Sequence, residues 1–487
     1  MHRFAIAFGL TSALLGCRPS AGSASPDAEG EPAAAATGWH YRVRVSPDLA
    51  RLDVRMCFDG APPRTLIPGV DEAAKYLDTA ATASGRKLKR RGKVLPLDEL
   101  GDESCIDYAI DVARIVDESS RRRTMHLGDS LAMKTSQWLW RPPTLPAGAE
   151  ITAQFELPEG IDVSVPWPVI RGGPQPTYAI DKTALEWLGY TILGDLVRDR
   201  FTHAGTRFDV VTLDAEIACT QRDVRRWLED ASDSVALLFD GKFPRERMQV
   251  VIVPVDGGGG GTVYFGMASR GGGPAIFVLL DDEATGERLP GGWTTVHEML
   301  HHGMPFIRGA WMGEGWVSYY TELQRTRMGH RSEEDGWNAL HDAFARGKRG
   351  GRMMTLRETS DHMRDTFAFQ RVYWGGAAIA FLLDVELRIR SGNERSLDDA
   401  IEHLRTCCGD ADERWDAQAL LEELDRWYGE PIFTQIADEQ LDSRDFPPVD
   451  EAMARLGISV GVGELVFDDD HPNAEIRRAI MAPRREP

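Results

Sequence analysis

The sequence predicts an α+β protein in which a mainly β domain precedes a largely helical one. Between residues 38 and about 205, short runs alternate apolar and polar residues, the period of half-buried strands. Beyond 206, long stretches with helical spacing surround a few apolar, β-branched runs. The chain has 487 residues, too many for one ordinary domain. Its 42% hydrophobic and 27% charged residues are the balance of a globular protein, so fibrous or wholly disordered classes are excluded.

The first 17 residues read as an export signal. Met1-His2-Arg3 is basic, Phe4 to Gly16 is apolar, and Leu14-Leu15-Gly16-Cys17 ends the run. The run is shorter than the ~20 residues of a membrane-spanning helix. Cys17 after small residues resembles a bacterial lipobox, which implies cleavage before Cys17 and lipidation of its thiol. With Arg18 rather than Asp following, the sorting pattern implies an exported bacterial lipoprotein of the outer membrane, facing the periplasm or the cell surface. Residues 18–37, rich in Ala, Ser, Pro and Gly, read as a flexible linker.

The β domain is expected over 38–205. Trp39 to Val45, Leu52 to Phe58 and Ile151 to Phe155 read as strands. Cys57 and Cys105 can pair in an oxidising compartment. Cys219, Cys407 and Cys408 are left over, and adjacent cysteines rarely join. Two basic clusters, Arg86 to Lys93 and Arg121 to Arg123, read as solvated loops. The net charge of −20 argues against nucleic acid as a partner.

The second domain is expected over 206–440. Gln249 to Val253 and Ala275 to Leu280 read as strands. Thr220 is expected to cap a helix running to about Leu238, and Ser396 to open another through Asp399. Gly429 is expected to end the helix that holds Leu420, Leu421, Leu424 and Trp427. Residues 441–487 read as a C-terminal tail. In it, Asp468-Asp469-Asp470-His471 reads as a solvated acidic loop.

The chemistry gathers at His297-Glu298-Met299-Leu300-His301, an H-E-x-x-H pattern. Four helical residues turn through about 400°, so His297 and His301 share one face and can bind one zinc ion. Glu298 projects about 100° aside, where it can hold the attacking water. A catalytic zinc needs a third protein ligand and an open position. Glu314, at the start of a helical stretch over Val317 to Arg325, is the candidate. Gly303 to Gly309, with Pro305, suits a turn between the two helices. His302 is expected beside the ligands or in solvent, and Glu322 is a candidate acceptor for a histidine N–H.

These segments resemble the gluzincin peptidases, and most closely the glycyl-aminopeptidase family. Glu314-Gly315-Trp316-Val317-Ser318-Tyr319-Tyr320 is similar to that family's third-ligand helix. Arg371-Val372-Tyr373-Trp374-Gly375-Gly376-Ala377 and Leu382 to Arg388 resemble its downstream helix, and Ser396 to Asp399 stands at the place expected after that helix. The resemblance covers roughly residues 206 to 430. It implies a thermolysin-like, largely helical catalytic domain with one zinc ion, acting on a peptide or protein substrate. It also implies that Tyr373 donates its hydroxyl to the oxyanion, with Tyr319 and Tyr320 as substitutes. Gly266 and Met267, after the run Gly257 to Gly261, resemble a substrate-binding loop of related aminopeptidases. Those enzymes carry an acid after the methionine to bind the substrate amine, where this chain has Ala268 and Ser269. The rival readings are a zinc hydrolase of a non-peptide substrate and a non-catalytic metal-containing binding lipoprotein.

Overall fold

A computed structural model describes residues 38–483, apart from 121–122, 147, 181–184, 186–188, 258–260, 271, 410–412 and 462–463. The export signal, Cys17 and the linker to residue 37 lie outside the described residues. Among the described residues, no helix is long and apolar enough to cross a membrane.

A β-rich region comes first. Gly38–Val45 runs antiparallel to Arg51–Asp59 and parallel to Ile151–Glu156 within a seven-stranded sheet. Alternation sends Trp39, Tyr41 and Val43 into the core and leaves Arg42 and Arg44 outside. A four-stranded sheet lies beside it, and Trp138, Trp140 and Trp167 are buried in the same core. Tyr41 donates its hydroxyl to the Trp140 carbonyl at 2.7 Å, so the buried phenol is satisfied. Cys57 and Cys105 lie directly opposite on paired strands and form a disulfide. Arg86, Lys93 and Arg123, from the two basic clusters, pair with Glu103, Asp71 and Glu72.

The boundary differs from the expected 205/206. Tyr190–Gly194 is the last strand of the four-stranded sheet. Leu196–His203 pairs with Thr206–Leu213 as a hairpin, so a cut at 205 falls inside its turn. Both sides of the true junction show the same strand periodicity, which hides it.

The hairpin opens a five-stranded sheet, continued in order by Arg247–Val255, Ala275–Asp281 and the antiparallel edge strand Val263–Ser269. Helix Gln221–Ala236 covers it. Thr220 and Asp223 exchange capping hydrogen bonds at its start, a motif stabilising by about 1 kcal/mol. The other expected punctuation is also present. Ser396 and Asp399 form a capping box, and Gly429 ends helix Ala417–Tyr428 at φ 93°.

The helical half is built around two long helices, Ala310–Arg327 and Phe369–Arg390. They cross in close contact: a Cβ on Gly315 would stand 2.5 Å from Gly376 backbone, and one on Gly376 only 1.7 Å from the Trp311 carbonyl oxygen. No side chain fits at either position. Residues beyond 440 are not a tail. Val449, Met453, Ile480 and Met481 belong to the same core, and Asp469 pairs with Arg478 at 2.8 Å. Cys407 and Cys408 are joined by a disulfide, against the expectation for adjacent cysteines, while Cys219 is free and buried.

Candidate metal centre

The H-E-x-x-H segment occupies helix Trp293–Leu300, with His301 as its C-cap in helical conformation (φ −53°, ψ −30°). The i,i+4 spacing therefore survives although the α-helix proper stops one residue earlier. Helix Ala310–Arg327 comes next, starting seven residues before the expected Val317, so Glu314 lies within its first turns. The connection is not a simple turn. Phe306–Arg308 forms a short strand paired in parallel with Arg414–Asp416.

His297, His301 and Glu314 converge. Their donor atoms all lie within 4.8 Å of one another. Glu314 Oε2 is 3.3 Å from His297 Nε2 and 3.4 Å from His301 Nε2. Burial alone would raise the Glu314 pKa, but the two imidazoles outweigh it and hold the carboxyl well below its ordinary range. Trp293 stacks on the His297 ring at 4.3 Å, and Tyr373 stacks on it at 5.9 Å with 10° between planes.

The tautomer of His297 is set by its neighbours. The Thr321 hydroxyl donates to the Val317 carbonyl at 2.7 Å. Having spent its one proton, its oxygen accepts from His297 Nδ1–H at 3.3 Å. The neutral ring then carries no proton on Nε2, the nitrogen that faces Glu314. Two imidazole nitrogens and a carboxylate oxygen are a zinc donor set, and the Thr321 contact is the ring-orienting partner such ligands need. The residues fit the metal that the motif implies.

Thr321 takes the place expected of Glu322, which instead pairs with Arg325 at 3.4 Å and Arg331 at 2.5 Å. Helix phase explains this: Thr321 is seven residues, two turns, from Glu314 and shares its face, while Glu322 turns about 100° away. His302 also departs from expectation. It is buried, and its Nε2 donates to the Ala275 carbonyl at 3.1 Å, tying the helix end to the sheet. Burial, then Arg270 and Arg245, keep its pKa well below the ordinary value, so it stays neutral.

Glu298 faces the edge strand. Its Oε2 accepts from the Ala268 N–H at 2.7 Å. Burial pushes its pKa up to about 7, opposed by His297, reinforced by Glu314 and opposed again by the Ala268 N–H. Gly266 makes the approach: a Cβ there would come within 2.5 Å of Glu298 Cγ and 2.6 Å of Thr294 Cγ2. Met267, next along the strand, projects to the other side and packs against Ala132, Tyr190 and Phe277. The expectation that Met267 lines the substrate loop is thus corrected by strand alternation. Of the run Gly257 to Gly261, residues 258–260 lie outside the described residues.

Tyr373 sits in the first turns of helix Phe369–Arg390 with its hydroxyl towards Glu314. Burial, then Glu314, raise its pKa far above the ordinary phenol value, so it is a proton-bearing donor at any working pH. Tyr319 and Tyr320 point elsewhere. They donate to Asp384 and Asp398, each at 2.9 Å, inside a buried network with Arg388 and Arg327.

A second trio, His403, Cys407 and Glu423, also brings donor types together. There the Cys407 sulfur is bonded to Cys408, and His403 meets Glu423 directly at 2.9 Å.

The architecture, a β-rich region followed by a helical domain, is that of two-domain M1 zinc peptidases. An aminopeptidase N family protein from Idiomarina loihiensis superimposes with a TM-score of 0.68 at 16% identity, covering 87% of this chain and 79% of that one. An M1 zinc metallopeptidase from Deinococcus radiodurans, solved with a Tyr-Ser-Ala substrate, gives 0.53 at 15% identity over 85% of this chain and 94% of its own. Yeast LTA4 hydrolase gives 0.51 at 14% identity, covering 85% and 69%. These likenesses define the fold. No family model and no curated protein matches the sequence.

Proposed function

We propose that the chain is a zinc peptidase that hydrolyses peptide bonds. The observation that carries this is the convergence of His297 Nε2, His301 Nε2 and Glu314 Oε2 beside a buried carboxylate, Glu298, that is not itself one of the three. A structural metal site has no need of such a base. The fold shared with M1 zinc metallopeptidases supports the same reading. The finer assignment, to the glycyl-aminopeptidase family, draws support from the segments at 314–320 and 371–377.

His297, His301 and Glu314 would hold the ion. When bound, zinc supplies Lewis acidity that acidifies water and polarises the scissile carbonyl. Glu298, its pKa already raised by burial, takes a proton from the attacking water and passes it to the leaving amine. The Ala268 N–H holds the Glu298 carboxylate in one orientation for both transfers. Tyr373 keeps its proton and donates a hydrogen bond to the developing oxyanion.

The test is Glu298→Gln beside wild type, with metal content measured on both. The expected result is retention of one zinc per chain with hydrolysis of a peptide library reduced by about 10²–10⁴-fold. Undiminished hydrolysis by the variant would overturn the mechanism. Absence of cleavage by zinc-loaded wild type would overturn the peptidase reading.

A further inference from the structure

The approach to the centre is rimmed by a cluster of cations. The strand pairing of Phe306–Arg308 with Arg414–Asp416 sets Phe306 opposite Arg414 and Arg308 opposite Asp416. Two guanidinium groups lie over the Phe306 ring, Arg270 at 5.4 Å and Arg414 at 5.1 Å from its centroid. Arg270 reaches inward, close enough to act on Glu314, and donates to the Met304 carbonyl at 2.8 Å and to the His301 carbonyl. Arg364, in the short helix Met363–Thr366, acts on Tyr373 and on Arg414, which is also influenced by Arg308. The positive groups thus extend from the Glu314 ligand round to the Tyr373 hydroxyl.

Arg308, Arg364 and Arg414 are exposed. Arg308 and Arg364 have no carboxylate partner among the described residues. The acids on these segments are otherwise placed: Asp416 caps a helix through Gln418 N, and Asp365 lies 3.8 Å from His362. Elsewhere this acidic chain pairs its surface arginines, as Arg357 with Asp438 and Asp442, and Arg390 with Glu386 and Glu430. Like charges held together at a cleft mouth repel until an anion enters, and they raise its local concentration. On the opposite wall, Ala268 and Ser269 offer no carboxylate to a substrate amine.

We propose that Arg308, Arg364 and Arg414, with Arg270 behind them, receive a carboxylate of the substrate, so that the enzyme selects acidic peptides and does not select a free amino terminus. This rests on the peptidase reading above. The test uses the zinc-loaded full chain and one peptide sequence in five forms. These are blocked at both ends, with only the amine free, with only the C-terminal carboxylate free, and blocked with Asp on either side of the scissile bond. Binding of the same fluorescent peptides to Glu298→Gln is measured in parallel by anisotropy. At least one carboxylate-bearing form should exceed the blocked neutral form by about tenfold in kcat/KM, and the free amine should add nothing. The form that gains tells a C-terminal carboxylate from an acidic side chain. The advantage should shrink as salt rises from about 50 to about 500 mM, and Arg364→Gln and Arg308→Gln should each cut it roughly threefold to fivefold. Cleavage with no charge preference, or a preference for the free amine, overturns the inference and leaves the peptidase reading standing. If no form is cleaved, the peptidase reading falls and binding decides the rim: tighter binding of carboxylate forms, weakened in the arginine variants, supports it, and equal binding overturns it.

Discussion

Gly376→Ala tests whether the helix crossing sets the metal centre. The added Cβ would stand 1.7 Å from the Trp311 carbonyl oxygen, where ordinary contact begins at 3.4 Å. The two helices must therefore separate by about 1.7 Å or tilt by an equivalent amount, because the obstacle is backbone and cannot rotate away. Overpacking of this kind costs about 1–3 kcal/mol. The displacement is felt at the site because Glu314 adjoins Gly315 on one helix, and Tyr373 lies one turn before Gly376 on the other. A misplacement of about 1 Å typically costs 10²-fold in rate. We expect a lowered denaturation midpoint and a kcat/KM reduced about 100-fold, beyond any loss of bound zinc. Gly313→Ala is the control on the same helix. Its Cβ would meet nothing nearer than 3.8 Å, so it should be neutral or slightly stabilising. A Gly376→Ala protein with wild-type midpoint, zinc content and activity would refute the claim that this contact positions the two residues.

Contacts at the ligands carry two further outcomes. Thr321→Val removes the acceptor of His297 Nδ1–H while keeping the shape, so zinc affinity should fall about 10–100-fold in chelator competition; unchanged affinity would show that Trp293 and Tyr373 orient the ring without it. Gly266→Ala places a methyl 2.5 Å from Glu298 Cγ and should lower kcat about tenfold or more with zinc retained, whereas loss of zinc with kcat per bound metal intact would show that the strand serves binding of the ion instead.

The parts of this molecule legible in its sequence are those fixed by local spacing. His297, Glu298 and His301 lie within one helical turn, and Thr220, Ser396 and Gly429 act on the residues beside them. The features that escape sequence reading depend on partners distant along the chain. The strand at Phe306–Arg308 exists because Arg414–Asp416 lies alongside it, more than a hundred residues later. Leu196–His203 has strand periodicity whichever sheet it joins, so its alternation does not locate the domain boundary. Resemblance gives Met267 a substrate role, although its alternation with Gly266 sends it to the other face. Thr321 can be found from its seven-residue offset to Glu314, because that places both on one helix face. Arg270 carries no local signal, since its hydrogen-bond partners come from the end of the histidine helix and the loop after it.

The helix that carries Glu314 ends on Arg327, a buried guanidinium shared between Asp398 and the Ile480 carbonyl. On the ribosome, that arginine is made 153 residues before the carbonyl that completes its hydrogen bonds. Helix Ala474–Met481 also contributes Ile480 and Met481 to the core. The catalytic half is therefore closed by nearly the last segment to be synthesised. Until that segment arrives, the nascent chain exposes an apolar groove and an incompletely paired cation. It stays incompletely folded, and so threadable and visible to chaperones and proteases, for most of its synthesis.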